Sequence, residues 1–287
     1  MSRLKHQIFT AIMATTNRGD IGFENQLPWG KPHKVDMQWF KQATHKRDCF
    51  ISQKTYDTIP NGLPNRNINI LTRPPINKCL LEHVKSINPG GNMVKETMAG
   101  FFNIETDNPI LLGGRTIYEQ YGNLINDFMI TFIPGEYKSD CKFDLMQFDK
   151  EEWKVVFAGQ STGKDKIGFI HFTRNIKDSD HSQDELISDM FEPYYRLTAS
   201  KTIIVKPGAH GVIEANEFVG VPRCATGAFS IRKSIAKKGL LTSASNFKRD
   251  WVGYPEIIVS NRGLEDITIL AGEEIGELAF LDNAAYL

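Results

Sequence analysis

The stretch NPILLGGRTIYEQYG, residues 108–122, contains three structural signals in a row. Residues 109–112 are a short apolar run bounded by turn residues, which indicates a buried strand. Gly113 and Gly114 then permit a tight turn in which the backbone can approach a ligand closely. The residues from Arg115 onward are predicted to form a helix. A strand, a glycine turn and a helix in this order predict an α/β fold.

The same alternation of strand and helix extends along the N-terminal part of the chain. Apolar runs predict strands at residues 7–16, 48–52, 67–73 and 127–134. Helices are predicted at residues 36–44 and 53–59. A terminal hairpin is predicted at residues 153–159 and 167–175. These elements indicate an α/β layer with a mostly parallel central sheet and flanking helices.

The character of the sequence changes near residue 176. A polar, acidic segment follows, and after it come short apolar runs separated by turns, which favour a small all-β domain. The predicted organisation is an α/β domain at residues 1–176, a linker at residues 177–189 and a β domain at residues 190–287.

Composition narrows the classes of function. Lys and Arg together number 34, as do Asp and Glu, so the formal net charge of zero gives no case for binding nucleic acid or a membrane surface. No apolar run approaches the length of a membrane helix. The scattered cysteines Cys49, Cys79, Cys141 and Cys224 show no metal-binding or disulfide pattern, which fits a cytoplasmic location without a metal site.

One carboxylate stands out in NQLPWGKPHKVDMQWFK, residues 25–41. Asp36 begins an apolar helical face formed by Met37, Phe40 and Ala43. A surface aspartate needs no such neighbours, although an aspartate at a helix start is commonly a cap worth about 1 kcal/mol. A glycine turn before a helix supplies N–H groups for an anion, but alone it is more often structural. The two signals together favour a binding cleft that contains Asp36.

Over residues 6–175 the sequence resembles dihydrofolate reductase, because several motifs stand in the order typical of that family. IGFENQLPW resembles the mobile loop that closes over the nicotinamide, and DMQWFK resembles the helix with the single active-site acid. The other matching segments are KTYDTIP, LPNRNINILTR, LLGGRTIYEQY and ITFI.

The resemblance implies a reducing centre built on Asp36. This carboxylate would bind the 2-amino group and N3 of the pterin ring of dihydrofolate and favour protonation of its N5. Thr131 would support that contact through its hydroxyl group and a water. Trp29 and Leu27 would lie in the closing loop and exclude water. The cofactor NADPH would supply the hydride.

The resemblance also implies the binding residues. Phe40, Ile59 and Leu63 would line the walls around the pterin and benzoyl groups, and Arg66 would bind the α-carboxylate of the glutamate tail. The residues implied for NADPH binding are Gly22, Lys54, Thr55, Arg73, Gly113, Gly114 and Tyr118. Of these, Lys54 and Arg73 would hold the 2′-phosphate, although simple helix packing is an equally good interpretation of Tyr118.

Three departures from the family pattern affect the cofactor side and the loop. One positive charge is absent at the start of the cofactor helix, where Gln53 precedes Lys54. Arg115 stands where the family has the third glycine of the turn. The segment between Trp29 and Asp36 is longer than in small bacterial members.

Residues 190–281 resemble the trimeric dUTPase and dCTP deaminase superfamily. The resemblance rests on a proline-glycine turn, the segment RKSIAKKGL, the turn DWVG and the final strand GEEIGELAF. That superfamily implies a homotrimer formed through this domain, with the reductase domains on the outside.

The catalytic acids of that superfamily are missing. Arg196 and Lys248 stand where acids are expected, Lys233 replaces a serine, and Ile258 occupies the position of the deaminase base. Water activation needs a base within reach, and a magnesium site needs oxygen ligands. A non-catalytic oligomerisation or docking module is therefore predicted.

Three functions follow from these observations. The first is NADPH-dependent reduction of 7,8-dihydrofolate by the first domain, with a degenerate second domain. The second is a bifunctional enzyme that also hydrolyses dUTP or dCTP. The third is a structural protein that reuses both folds as a scaffold. Because Asp36, Trp29, Arg66 and Thr131 remain together, the sequence favours the first.

Overall fold

A computed structural model describes residues 9–59, 63–72, 92–95, 109–148, 151–174, 191–192, 194–243 and 246–282 of the chain. Only the backbone is described for residues 92–95 and 282. Arg73, Cys79 and the predicted linker at residues 177–189 lie outside the described residues.

The first part of the chain alternates strands with short helices. Its strands are β1 (Phe9–Thr16), β2 (Asp20–Gly22), β3 (Asp48–Ser52), β4 (Asn67–Thr72), β5 (Asn92–Lys95), β6 (Pro109–Leu111), β7 (Ile125–Ile133), β8 (Cys141–Lys142), β9 (Lys154–Ser161), β10 (Gly168–Thr173) and β11 (Phe191–Glu192). Its helices are α1 (Lys34–Thr44), α2 (Gln53–Tyr56) and α3 (Arg115–Gln120), with 3-10 turns at Gly122–Leu124 and Leu145–Gln147. No helix of the described residues is long and apolar enough to cross a membrane.

Nine of these strands form one sheet in the order β11-β9-β10-β7-β1-β6-β3-β4-β5. Strand β3 pairs in parallel with β4 and β6, and β1 pairs in parallel with β6. Strand β9 pairs antiparallel with β10 and β11, which confirms the predicted hairpin. The fold class is confirmed, and the sheet is mixed because the hairpin joins the parallel strands. The near-continuous apolar side chains of β3, β4 and β6 are buried, as expected for parallel strands covered on both faces.

Helix α1 presents a different face to the core from the one predicted. Its buried residues are Trp39, Ala43 and Thr44, whereas Met37 and Phe40 are half-exposed. The indole of Trp39 therefore fills the core position, and the side of the helix that carries Phe40 is partly exposed. Asp36 lies in the first turn of α1 and is half-buried.

The second part of the chain is almost entirely β, which confirms the prediction for this region. Its strands are β12 (Tyr194–Thr198), β13 (Ile203–Val205), β14 (His210–Glu214), β15 (Val219–Gly220), β16 (Ala225–Ile231), β17 (Leu240–Thr242), β18 (Asn246–Phe247), β19 (Val252–Gly253), β20 (Glu256–Asn261), β21 (Ile267–Ile269) and β22 (Glu274–Asp282). One short helix, α4 (Lys233–Ala236), is described among them. The largest sheets have the orders β12-β22-β16-β18 and β14-β20-β17.

Contacts between Cα atoms divide the chain into two compact units. The first unit comprises Met1–Ala14, Asp20–Ile130 and Tyr137–Phe143. The second unit comprises Thr15–Gly19, Thr131–Glu136 and Asp144–Leu287. The second unit thus contains the β9–β10 hairpin together with the β-rich part of the chain.

Candidate active site

One face of α1 aligns three side chains with different chemistry. Asp36, Phe40 and Thr44 are separated by four residues each, so they follow one another along the helix surface. At 1.5 Å per residue the first and last of them are about 12 Å apart along the axis. The Thr44 hydroxyl donates to the backbone oxygen of Phe40 at 2.6 Å. The face therefore carries a half-buried carboxylate at one end and a half-exposed aromatic ring in the middle, and it ends at the buried, hydrogen-bonded Thr44 hydroxyl.

Arg66 completes the far end of this face. Its Nε donates to the Thr44 hydroxyl oxygen at 2.7 Å, and its Nη1 donates to the Pro64 carbonyl at 2.6 Å. Its guanidinium carbon lies 5.6 Å from the centre of the Phe40 ring. Burial lowers the pKa of Arg66 from its usual value, but a guanidinium stays charged at any physiological pH. These contacts fix the orientation of the guanidinium group, which is the condition for paired hydrogen bonds to a carboxylate.

The glycine turn between β6 and α3 has no room for larger side chains. Gly113 has a φ of +96°, and a Cβ placed on it would lie 2.6 Å from the hydroxyl oxygen of Tyr118. The peptide bond between Gly113 and Gly114 is cis. A Cβ on Gly114 would lie 3.1 Å from the Thr55 hydroxyl oxygen. The bare backbone of this turn matches the cradle that a nucleotide phosphate needs.

Tyr118 lies beneath this turn. Its hydroxyl donates to the backbone oxygen of Ile12 at 2.7 Å, and its ring contacts those of Phe128 and Phe143. Burial raises the pKa of the Tyr118 hydroxyl above its usual value. The structure thus favours the packing interpretation of Tyr118, because its polar atom is already bonded to the backbone.

Ser52 connects the turn to α2. Its hydroxyl oxygen accepts from the backbone N–H of Thr55 at 3.2 Å and from that of Gly114 at 3.4 Å, and it lies 2.8 Å from the Thr55 hydroxyl oxygen. Lys54 is exposed and stands beside Thr55 on α2. The predicted cofactor residues Thr55 and Gly114 are therefore brought together, and Ser52 holds them although the sequence analysis did not single it out.

The loop that carries Leu27 and Trp29 begins with a tight turn. Phe23 and Gln26 exchange backbone hydrogen bonds, and the two residues between them have positive φ angles, as a type I′ turn requires. The backbone N–H of Glu24 donates to the Asp140 carboxylate at 2.9 Å. Asp140, which the sequence analysis missed, therefore anchors the turn.

Gly22 ends the strand that leads into this loop. It pairs with Cys141, and a Cβ on Gly22 would lie 3.2 Å from the Cys141 Cβ. Further along the loop, the rings of Trp29 and Tyr137 meet edge to face with centroids 6.3 Å apart. The buried Nε1 of Trp29 has no hydrogen-bond partner among the described protein groups.

The remaining predicted residues lie on β7 and after α2. Thr131 is fully buried, and within the described part of the chain its hydroxyl has no hydrogen-bond partner. A buried hydroxyl without a protein partner is costly unless a water or a ligand completes it. Leu63 is buried and Ile59 is half-buried, whereas Arg73 lies outside the described residues.

The second region places cations where its resemblance expects acids, and two arginines have acidic partners. Arg196 lies 3.7 Å from Glu277, and Arg232 lies 3.2 Å from Glu274. Lys233 and Lys248 are exposed, as is Ile258. The described residues contain no group of three or more His, Cys, Asp or Glu side chains that could hold a metal ion.

The fold and these contacts define a protein with an α/β region that contains a tight glycine turn, followed by a β-rich region. Residues 8–175 match the family model for dihydrofolate reductase, and residues 194–285 match that for dUTPase. Because the first match covers more than half of the chain, the chain belongs to the dihydrofolate reductase family. This membership confirms the predicted enzyme class, an oxidoreductase that uses NADPH.

Two relatives compared by sequence agree with the family match. Dihydrofolate reductase from Haemophilus influenzae is 31% identical over 151 residues, which cover 52% of this chain and 85% of that protein. Dihydrofolate reductase from Staphylococcus aureus is 29% identical over 158 residues, covering 54% of this chain and 90% of that protein. A structure of dihydrofolate reductase from Enterococcus faecalis, complexed with NADP(H) and RAB-propyl, has a TM-score of 0.49 at 19% identity and covers 59% of this chain and 98% of that chain.

Proposed function

We propose that the chain catalyses the reduction of 7,8-dihydrofolate to 5,6,7,8-tetrahydrofolate with NADPH. The observation that carries this proposal is the aligned face of α1, which has Asp36 at one end, Phe40 in the middle and the Thr44–Arg66 pair at the other end. Dihydrofolate has the complementary sequence of groups: a pterin rich in N–H donors, an aromatic benzoyl ring and a glutamate carboxylate.

Asp36 is the group proposed to bind the pterin. A half-buried carboxylate loses part of its hydration, so it binds most favourably to a ligand that donates two hydrogen bonds. Its negative charge also favours a proton on N5 of the bound pterin, which makes the adjacent C6 a better acceptor of hydride. The buried Thr131 hydroxyl is proposed to complete its hydrogen bonds on the pterin side.

NADPH is the group that supplies the hydride when it is bound, from C4 of its nicotinamide ring. The residues proposed to hold it are Gly113, Gly114 and Thr55, with Ser52 as their support. Lys54, with Arg73, is proposed for the 2′-phosphate. Gly22, Leu27 and Trp29 belong to the loop proposed to exclude water from the reacting groups.

The test compares two substrates that differ only in their tail. NADPH consumption is followed with dihydrofolate and with dihydropteroate, which lacks the glutamate and its carboxylates. The expected result is turnover of both, with a KM about tenfold or more higher for dihydropteroate, because the contact with Arg66 is lost. No NADPH consumption with either substrate by the folded chain contradicts the proposed function.

We further infer a non-catalytic role for residues 190–287, which follow a reductase domain at residues 1–176 and a linker at residues 177–189. Exposed apolar side chains support self-association. Val212 on β14 pairs with Ile258 on β20, and Leu241 on β17 pairs with Ser260, two residues from Ile258 and so on the same face. Each of these three apolar side chains is about half exposed.

A homotrimer is the proposed assembly, in a cytoplasmic protein without a nucleic-acid partner. Light scattering tests it: a trimer is expected, and Ile258→Glu is expected to shift the mass toward the monomer because it buries a charge in the contact. A monomeric wild-type chain contradicts this part of the proposal. Release of pyrophosphate from dUTP or of ammonia from dCTP would support the bifunctional alternative. A folded chain that consumes no NADPH with dihydrofolate would support the scaffold alternative.

A further inference from the structure

Within the second compact unit, the β-rich region contacts two short segments of the reductase sequence. These segments are Thr15–Gly19, which immediately precedes the closing loop, and Thr131–Glu136, which begins with the proposed pterin residue Thr131. Both belong to the unit that contains β12–β22 rather than to the unit that contains α1. The contacts that join them to the β-rich region are specific and partly buried.

The first contact involves Asn17. Its backbone oxygen accepts a hydrogen bond from the hydroxyl of Tyr254, and its side-chain Oδ1 accepts from the backbone N–H of Phe218 at 3.5 Å. Local bonds complete this turn, since the N–H of Gly19 donates to the Thr16 oxygen at 3.0 Å. Asn17 is thereby fixed from a region more than two hundred residues away in the sequence.

The second contact involves Phe132, the residue after Thr131. The rings of Phe132 and Phe218 are stacked with centroids 5.4 Å apart, and both side chains are almost fully buried. The ring of Tyr254 meets Phe218 edge to face at 5.3 Å. Tyr254 and Phe218 thus form one continuous contact with both reductase segments.

The backbone around this contact is also fixed. The N–H of Arg223 donates to the Val155 oxygen at 2.9 Å, and the N–H of Val155 donates to the Asp250 carboxylate at 3.3 Å. A Cβ on Gly220 would lie 3.1 Å from the Val155 side chain, so the chain at Gly220 lies directly on the hairpin strand β9. The residues that follow Phe218 and those that precede Tyr254 in the sequence are therefore anchored by hydrogen bonds and close packing.

We infer that Phe218 and Tyr254 of the dUTPase-like region are positioning residues for the reductase reaction, with Tyr254 fixing the base of the closing loop through Asn17 and Phe218 fixing the strand of Thr131 through Phe132. This inference rests on the proposed reductase function. It gives the second region a role in each single chain, apart from any assembly.

Two substitutions separate the two arms of the inference. Tyr254→Phe removes the hydrogen bond to Asn17 and keeps the ring. The expected result is a fall in the single-turnover hydride-transfer rate of about fivefold, the factor that corresponds to one lost hydrogen bond. Phe218→Leu removes the ring that stacks on Phe132, the residue after Thr131. The expected result is a rise in the KM for dihydrofolate of about fivefold, with a smaller change in kcat.

Tyr194→Phe is the matched control. The Tyr194 hydroxyl accepts from Arg196 at 3.4 Å in the same compact unit and contacts neither Asn17 nor Phe132 in any described bond. It is expected to leave the hydride-transfer rate and the KM unchanged. If Tyr254→Phe changes both parameters no more than Tyr194→Phe does, or if Phe218→Leu lowers kcat and leaves the KM unchanged, the inference is overturned.

Hydrogen exchange does not depend on turnover, so it tests this inference separately from the proposed function. Amide hydrogen exchange of Arg18 and Gly19 reports the turn itself, because their N–H groups bond to Thr16. Tyr254→Phe is expected to speed this exchange about fivefold, whereas Tyr194→Phe is not. Unchanged exchange in Tyr254→Phe overturns the inference that Tyr254 fixes the base of the closing loop. If Tyr254→Phe speeds this exchange but the wild-type chain consumes no NADPH, the proposed function is contradicted, whereas the contact between Tyr254 and the turn is supported.

Discussion

The reductase-like and dUTPase-like regions differ in the partners of their charged groups. In the first region, Asp36 and Arg66 stand at opposite ends of one helix face, and Arg66 is oriented by the neutral oxygens of Thr44 and Pro64. In the second region, Arg196 and Arg232 lie within ion-pair distance of Glu277 and Glu274. The described hydrogen-bond partners of Arg66 are thus neutral, whereas each of the two arginines in the second region lies beside a carboxylate.

This difference shows that keeping a fold and keeping a chemistry are separate. Each region matches its family model over most of its length. Among the described residues, the first region has Asp36 where its family expects an acid, whereas Arg196 and Lys248 stand at such positions in the second region. The proposed roles therefore differ: chemistry for the first region, and support and assembly for the second.

The largest expected effect comes from removing the charge of the first region. Asp36→Asn is expected to lower kcat/KM for dihydrofolate by about 10²–10⁴-fold at neutral pH, because an amide cannot favour the proton on N5. The deficit is expected to narrow as the pH falls, since solvent then protonates N5. Single-turnover kinetics across the pH range make the measurement.

Asp266→Asn is the control for this prediction, because Asp266 is an exposed aspartate of the second region. It is expected to leave kcat/KM unchanged. Equal activity of Asp36→Asn and the wild type would contradict the proposal that the reaction needs the Asp36 charge.

The next effect concerns the glycine turn. Gly113→Ala forces a side chain into a residue with φ of +96° and places its Cβ 2.6 Å from the Tyr118 hydroxyl. The free energy of unfolding is expected to fall by about 2–4 kcal/mol, with weaker NADPH binding. Urea unfolding and fluorescence titration with NADPH measure the two quantities. Gly163→Ala is the control, since a Cβ there would meet no heavy atom within 4 Å. An equal loss of stability and of NADPH binding in both variants would show that the loss does not depend on the glycine turn.

A smaller effect is expected at the tail end of the substrate face. Arg66→Lys keeps the charge but loses the planar fork that binds a carboxylate with two hydrogen bonds. The KM for dihydrofolate is expected to rise about tenfold with little change in kcat, as expected for a contact made equally in the ground and transition states. Steady-state kinetics of Arg262→Lys, an exposed arginine of the second region, provide the comparison. A fall in kcat at constant KM would argue against tail binding by Arg66.

How much of this site the sequence predicts depends on the distance along the chain over which each contact forms. The positions of Asp36 at a helix start and of Gly113 and Gly114 in a turn were predictable because strand, turn and helix patterns are local. Asp140 was not, since its bond to the Glu24 N–H joins residues 116 apart. The Tyr254–Asn17 bond joins residues 237 apart, and no periodic pattern marks either partner. Helix α1 shows the same limit at short range, because Trp39 rather than Phe40 occupies the core, and only packing decides which of two adjacent apolar residues is buried.

Glu217 is an acid of the second region with a structural role. Its carboxylate accepts from the backbone N–H and the hydroxyl of Thr198 at 2.9 and 2.8 Å, and burial raises its pKa to about 7. Because the folded chain holds this proton more tightly than the unfolded chain, stability is expected to fall as the pH rises from about 5 to 8. Glu217→Gln is expected to remove this slope and to raise the free energy of unfolding by about 1 kcal/mol at pH 8. Urea unfolding at pH 5 and pH 8 measures it, and an unchanged slope in the variant would assign the pH dependence to other groups.

The last prediction is that the second region shows no measurable hydrolysis of dUTP and no deamination of dCTP. Pyrophosphate release from dUTP with Mg²⁺, and ammonia release from dCTP, are expected to stay at the rate of buffer alone. A general base must lie within hydrogen-bond reach of the attacking water, and Arg196, Lys248 and Ile258 offer none at the positions where the resemblance expects the acids. Arg196→Glu is expected to leave both rates at background, because one restored carboxylate provides neither a magnesium site nor a base beside it. Release above background by the wild-type chain would restore the bifunctional alternative and would mean that a carboxylate elsewhere in the second region activates the water.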